Sequence, residues 1–339
     1  MSPLFTGLAV TAVTTAFLLW AVEHHAKALG LMDLPNDRSS HSRPTPRGGG
    51  IAIVVGSLLG LGVSSVITGS AIPVAGVAAL VAASLVALIS LIDDLRPLPP
   101  VLRLVAHLVA ATVVIRWLPL PSTVDFPGIG LVPTGWAAPV LAVLWIVAVT
   151  NIYNFMDGID GLAGGQGLVA GALWGALGLV TGDWFLTGSG FAIAASCAIF
   201  LARNWAPAHI FMGDAGSAFL GFVFAVLPLV ASGEALGARA WPFGVLLLWP
   251  FLFDATLTLA RRLRRGENLF RAHRDHLYQR LIVGGATHAW VSRVYIALAA
   301  VVGLAGLAWL LGRWPGWVVV FITVVAAATL VLIVRRRER

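Results

Sequence analysis

The chain has 339 residues, of which 59% are hydrophobic and only 11% charged, and its mean hydropathy is +0.92. This excludes a soluble enzyme, because a water-facing surface cannot be built from so few charges. At roughly 20 apolar residues per span plus short connections, the length accommodates on the order of ten membrane helices. Residues 1–339 are therefore expected to form one integral membrane domain.

Eleven apolar segments are predicted in chain order, at roughly 4–22, 50–69, 71–92, 101–119, 137–153, 164–181, 184–203, 216–232, 242–260, 294–312 and 316–334, each bounded by charges or Pro/Gly clusters. The first follows Pro3 with no basic stretch and no small-residue cleavage site, so it reads as a retained helix rather than a signal peptide. The fold expected is an all-α polytopic membrane helix bundle of about eleven transmembrane helices. With the N-terminus outside and the C-terminus cytoplasmic, all of the 22 Lys and Arg residues except Arg116, Arg239 and Arg313 fall on the inside. The net charge of +7 is dispersed over juxtamembrane loops, which suits topology and contact with anionic membrane lipids and gives no reason to invoke nucleic acid. The lone cysteine, Cys197, lies in an apolar run, so a disulfide framework and a cysteine metal site are both ruled out. No fixed-period repeat and no inverted symmetry is visible, which weakens the alternative of a cation-coupled transporter or lipid-carrier flippase.

Acids are scarce, 15 in all, and an ionisable group at membrane depth costs several kcal/mol and is rarely kept without a partner or a task. Asp93, Asp94, Asp157, Asp160, Asp214 and Asp254 all map to the inner ends of helices or the loops beside them. The loop with Asn151, Asn154, Asp157 and Asp160 has no basic residue, and a hard divalent cation is the simplest species to neutralise it. Asp93-Asp94 closes the third helix in LIDDLRPLPP; Leu95-Arg96-Pro97 follows, so the third aspartate of a prenyl-synthase acidic box is missing.

NIYNFMDGIDGLAGG is the most specific feature. Asn154, Asp157 and Asp160 recur every three residues, a spacing that places them on one helix face, and Gly158, Gly161, Gly164 and Gly165 permit close backbone approach to a ligand. The fragment lacks the Ala-Arg pair of CDP-alcohol phosphotransferases. In IFMGDAGS, Asp214 between two glycines suits an oxygen ligand for Mg²⁺, and Phe211 offers a ring to stack on a base; a glycine-rich helix cap with Phe211 as core is the plainer alternative. RRLRRGENLFRAHRDHLYQR combines dense arginine with His273 and His276, groups that bind phosphate oxygens. NDRSSHSRPTPRGGG is either an ordered phosphate-binding loop or a flexible connector; its glycines lack the Lys-Ser/Thr ending of a P-loop.

Taken together these motifs resemble the polyprenyl-phosphate N-acetylhexosamine-1-phosphate transferases, within glycosyltransferase family 4. That group includes phospho-MurNAc-pentapeptide translocase and the GlcNAc-1-phosphate transferases of O-antigen and teichoic acid synthesis. PTPRGGG, the Asp-Asp pair, NxxNFMDGIDGLAGG, FMGDAGS and the histidine-containing last loop occur in family order over nearly the whole chain. The SSHSRPTPRGGG segment is most similar to the O-antigen-initiating enzymes.

The resemblance implies that Asp214 and Asn154 ligate Mg²⁺, for which Mn²⁺ can substitute, with Asp157 close to the metal-diphosphate site. It implies that Asp160 reads the uracil edge while Phe211 stacks on the ring. Asp93 and Asp94 then contact or activate the lipid phosphate, and His273, Arg274 and His276 hold the diphosphate or sugar, joined by Arg43 from the first loop. Asp275 stands where relatives often carry histidine. The implied reaction is attack by a polyprenyl phosphate oxygen on the β-phosphorus of a UDP-N-acetylhexosamine, releasing UMP on the cytoplasmic face of a bacterial inner membrane. A homodimer is a further expectation of the resemblance.

Overall fold

Every apolar run folds as helix in the computed structural model, which describes residues 2–34, 44–231, 236–268 and 274–338. In chain order these are α1 (Ser2–His25), the short ribbon β1 (Met32–Asp33) with β2 (Thr45–Pro46), α2 (Gly49–Thr68), α3 (Val74–Leu95) and α4 (Pro100–Val114). A second ribbon, β3 (Thr123–Phe126) with β4 (Gly130–Pro133), precedes α5 (Ala138–Phe155), α6 (Leu162–Thr181), α7 (Trp184–Asn204) and α8 (Asp214–Ala231). Then come α9 (Ala240–Leu247), α10 (Trp249–Arg264), α11 (Leu277–Val283), α12 (His288–Leu310) and α13 (Gly316–Arg337).

Among the described residues, ten helices are long and apolar enough to cross a membrane, and α9 with α10 forms one further bent pair. The ninth segment, expected as one run over 242–260, is that pair: its halves meet at 68°. Pro250, in the first turn of α10, offers no N–H to continue the ladder from α9 and its ring crowds the carbonyl four residues back. The connection between the fourth and fifth spans also differs from a plain loop, since Thr123–Phe126 pairs antiparallel with Gly130–Pro133, Thr123 opposite Pro133 and Phe126 opposite Gly130. Large apolar side chains such as Val13, Phe17, Val66, Val81, Leu144 and Phe321 stand exposed along the outer helix faces, as a lipid-facing surface requires. The chain is a multi-pass membrane protein.

The centre of the bundle is α8, where every residue from Ala215 to Ala231 is buried, and it packs on α2, α3 and α5. Small residues and hydroxyls join the outer layer of α1, α2 and α7: Thr15 Oγ1 and Ser57 Oγ both donate to Ser196 Oγ, at 3.2 and 3.0 Å. Such packing holds helices together where lipid supplies no hydrophobic drive.

Where α2 begins, the backbone itself makes the contact. Gly49 and Gly50 donate their N–H groups to the carbonyls of Phe211 (2.9 Å) and Met212 (2.8 Å), and a Cβ on Gly50 would lie 2.3 Å from the Cα and N of Gly216. The glycines of PTPRGGG thus dock α2 onto the start of α8. Gly50→Ala is expected to cost about 1–3 kcal/mol by overpacking, read as a lowered unfolding midpoint in detergent, and to displace Asp214 because Gly216 lies in the same turn.

Candidate active site

Asp93 and Asp94 end α3, and their side chains part. Asp94 is buried at 4% exposure, and its carboxylate accepts the N–H groups of Asp214 and Ala215, both at 3.1 Å. It therefore caps the N-terminus of α8, where a carboxylate satisfies otherwise orphaned donors and meets the positive end of the helix dipole. Asp93 accepts the Leu98 N–H at 2.5 Å and Arg103 Nη1 at 2.8 Å. The same Nη1 reaches Asp214 Oδ2 at 3.0 Å, so Arg103 on α4 bridges the acids that end α3 and begin α8. Arg47, two residues before α2, donates to the backbone carbonyl of Asp94. The part of the first loop from residue 44 onward is thereby ordered against the acidic cluster; Arg43 lies outside the described residues.

The NIYNFMDGIDGLAGG segment departs from the expected single helix face. Only Asn154 belongs to a helix, the last turn of α5, which ends at Phe155; Asp157 and Asp160 lie in the turn that follows, and Gly161, with a left-handed φ of 79°, opens α6. Nor do the glycines stand open to a ligand: Cβ atoms at Gly158, Gly161, Gly164 and Gly165 would meet Tyr278, Trp205, Phe200 and Ile296. Asn154 Oδ1 accepts a hydrogen bond from Ser217 Oγ at 2.6 Å, tying α5 to α8 one turn from Asp214. Asp157 is half-buried, and burial, followed by the carboxylates of Asp214, Asp94 and Asp160, pushes its pKa up to about 8.

Asp160 Oδ2 accepts the Ala208 N–H at 3.1 Å and Oδ1 lies 3.4 Å from His288 Nδ1. This brings the turn before α6 beside the segment that carries Phe211, whose own N–H donates to Pro46 O at 2.8 Å.

His276 stands at the N-terminus of α11 and its Nδ1 lies 3.1 Å from Asp254 Oδ1. Asp254 is fully buried and collects four further donors: Leu277 N (2.8 Å) and Thr258 Oγ1 (3.2 Å) on Oδ1, Tyr278 N (3.1 Å) and Tyr295 OH (2.6 Å) on Oδ2. Tyr278 OH in turn donates to Phe155 O at 3.1 Å, which seats α11 against the end of α5. Burial and the Asp254 charge hold the Tyr278 phenol well above its usual range. Arg274 is exposed, Asp275 pairs with Arg262 Nη1 at 2.6 Å, and His273 lies outside the described residues.

The acids named from the sequence thus gather at one end of the bundle from stretches far apart in the chain. Sequence reasoning does not assign Arg103, Arg47, Ser217, His288 or Asp254 to the site. Asp254 carries the clearest signal, an acid inside an apolar run, whereas Arg103 is already accounted for by topology. Among the described residues, no group of three or more His, Cys, Asp or Glu side chains is arranged to hold a metal ion.

These features define a class: a multi-pass membrane protein with a polar, carboxylate-lined and arginine-braced site at one end of its helix bundle. The family model for glycosyl transferase family 4 matches residues 76–232, the stretch that contains Asp93, Asp94, Asn154, Asp157, Asp160, Phe211 and Asp214. The chain is similar to the decaprenyl-phosphate N-acetylglucosaminephosphotransferase of Mycobacterium leprae, 30% identical over 96% of this chain and 89% of that protein. It is 28% identical to the probable undecaprenyl-phosphate N-acetylglucosaminyl 1-phosphate transferase of Bacillus subtilis, over 82% of this chain and 77% of that one. To a phospho-N-acetylmuramoyl-pentapeptide-transferase of Synechococcus it is 36% identical over 60% and 58% of the two chains. The chain belongs to glycosyl transferase family 4, as its motifs implied.

Proposed function

We propose that the protein transfers an N-acetylhexosamine 1-phosphate from a UDP-sugar to polyprenyl phosphate, releasing UMP and forming the first lipid-linked sugar of an O-antigen or related cell-envelope polysaccharide. The observation that carries this reading is the meeting of Asp93, Asp94 and Asp214 at the junction of α3 and α8, braced by Arg103 and joined through Ser217 to Asn154. The relatives' names, which specify undecaprenyl or decaprenyl phosphate and N-acetylglucosamine, support the acceptor and the sugar class. Asp93, Asp94 and Asp214 sit at helix ends and Asp157 and Asp160 in the turn between α5 and α6, not strung along a path through the helices, which weakens the support for an ion-coupled transporter. The charge bias of the loops supports a cytoplasmic site.

The donor set is one of hard oxygens. Mg²⁺ commonly takes one or two protein carboxylates and completes its shell with phosphate and water oxygens, so Asp214 and Asn154, with Asp157 beside them, suit it without a three-residue cage. When bound, the ion supplies neutralisation of charge on the diphosphate oxygens.

The protein's own residues align the reactants. A phosphate monoester has its second pKa near ~6 and is mostly ionised at neutral pH, so no strong base is needed; Asp93 orients the acceptor and takes any residual proton. Asp94, with both oxygens bonded to the backbone, holds α8 and hence Asp214 in place. The acceptor oxygen bonds to the β-phosphorus as the bond from that phosphorus to the α–β bridging oxygen breaks, and the electron pair departs with UMP. Asp160 and Phe211 take the uracil, and His276 and Arg274 the diphosphate or sugar. Catalysis of this kind rests mainly on positioning and electrostatics.

Purified protein in detergent, given polyprenyl phosphate, Mg²⁺ and a panel of UDP-N-acetylhexosamines, is expected to release UMP only when lipid and metal are both present. Exchange of labelled UMP into UDP-sugar without lipid acceptor would replace direct attack by a covalent phospho-aspartate route.

A further inference from the structure

The β3–β4 hairpin joins the ends of α4 and α5 that lie away from the acidic cluster. Arg103 is in the first turn of α4 and Asn154 in the last turn of α5, so the chain between them turns at the opposite end of the bundle. Pro100 to Trp117 are 18 residues, roughly 28 Å of helix against a hydrocarbon core of about 30 Å. The chain therefore leaves the helix near the boundary of the core and not well beyond it. It then folds back along the bundle. A Cβ on Gly316, the first residue of α13, would collide with the N of Gly128 at the hairpin tip, and one on Gly128 would lie 3.1 Å from Cγ2 of Val320, one turn further along α13. The tip thus rests against the start of a membrane span.

Between Trp117 and Val140 the only ionisable side chain is Asp125, and its charge is answered within the protein. Its Oδ2 accepts Arg239 Nε at 2.8 Å, and Arg239 donates to the Trp309 carbonyl at 3.2 Å and lies over the Trp309 ring at 5.2 Å. The side chains left outward are apolar: Ile129 is 77% exposed, Leu131 69% and Trp136 91%, and Trp117, Trp314 and Trp317 stand exposed at the same end. Tryptophan collects at bilayer boundaries, where an apolar ring with one polar N–H suits both sides, whereas a face turned to water rarely keeps such a patch. The patch also continues into the lipid-facing surface: Trp136 is followed within a few residues by Val140 on α5, and Val320 by Phe321 on α13, both exposed. We propose that the β3–β4 hairpin is an interfacial element, lying in the headgroup and upper acyl region of the leaflet remote from the acidic cluster, with Ile129, Leu131 and Trp136 against lipid. An open two-stranded ribbon leaves edge N–H and C=O groups that need water or headgroups, so the interface suits it and the middle of the core does not.

This placement rests on the chain crossing a membrane and not on the transferase reading, so the two can fail separately. Cys197, the only cysteine, is buried, which leaves the natural chain ready for labelling at a single added site. Ile129→Cys and, independently, Leu131→Cys are spin-labelled in the full-length protein, checked for folding by the unfolding midpoint in detergent, and reconstituted in vesicles of phosphatidylcholine and phosphatidylglycerol. Collisions of each label with oxygen, which concentrates in the bilayer, are compared with collisions with a water-soluble nickel chelate. Phe321→Cys on the exposed face of α13 gives the lipid reference, and Lys27→Cys, exposed after the end of α1, gives the water reference. Both hairpin labels are expected to favour oxygen over nickel, as the Phe321→Cys label does, with the reverse preference at Lys27→Cys. A preference for nickel at either hairpin position places the ribbon in water. Protection from both reagents means that a protein, such as a second copy of this chain, covers it, and either result overturns the proposal.

Discussion

Asp214→Ala is expected to lower sugar-phosphate transfer roughly a thousandfold, the loss of several kcal/mol of charge stabilisation at the transferring phosphorus. The bundle should survive the change. Asp94 binds the N–H groups of residues 214 and 215 and not the Asp214 side chain, so the cap on α8 remains in the alanine variant. The Asp214 carboxylate is about one-third exposed and its cationic partner is Arg103 at 3.0 Å, which keeps Asp93 at 2.8 Å. The check is UMP release beside an unfolding curve. A large loss of rate with an unfolding midpoint near that of wild type assigns the carboxylate to chemistry, whereas equal loss of both assigns it to folding. Asp94→Ala is expected to give the second pattern, because it removes the cap and leaves two helix N–H groups without their acceptor.

Asp254→Asn should be damaging although it is isosteric. The carboxylate accepts from His276, Leu277 and Thr258 on one oxygen and from Tyr278 and Tyr295 on the other. An amide turns an NH₂ group toward one of these sets, placing donor against donor in a site with no solvent exposure. About 1–3 kcal/mol of stability is expected to go; the lower end applies if the unfolded chain in the membrane finds other partners. The transfer rate should fall about 10–100-fold, the usual effect of removing a group that orients a ligand-binding histidine. On the proposed role of Asp254 in orienting His276, the double variant Asp254→Asn/His276→Ala should be little worse than His276→Ala alone. Additive losses would show that Asp254 serves only the fold. Tyr295→Phe, which removes one donor and keeps the carboxylate, should retain most activity.

Much of the candidate site is legible in the amino-acid sequence. Asp93, Asp94, Asp157, Asp160 and Asp214 stand out because charge is expensive beside a membrane and fifteen acids cannot be scattered without cost. Their division of labour is not legible there. Adjacent Asp93 and Asp94 look alike in the chain, yet one faces Arg103 and the other is spent on the start of α8, a difference set by the arrival of a helix 120 residues later. Periodicity places Asn154, Asp157 and Asp160 on one helix face because it cannot see where a helix ends; α5 stops at Phe155, and a left-handed Gly161 opens α6 after the turn that carries Asp157 and Asp160. Arg103 and Arg47 are accounted for by the positive-inside bias, which explains why a basic residue lies at a given end but not what it touches.

The sequence by itself determined the class of fold, the approximate spans and the identity of the motifs, because burial in lipid demands long apolar runs that no soluble chain carries. It also placed Asp93, Asp94, Asp157, Asp160 and Asp214 at helix ends and loops, since charges bound the runs; Asp254, expected there too, lies within α10. The tertiary structure alone decided the 68° break between α9 and α10, the docking of α2 on α8 through Gly50 and Gly216, and the burial of Asp254 among five donors. Spans follow from local composition, but hydrogen-bond partners at helix ends depend on which ends meet, and that is fixed only when the whole bundle packs.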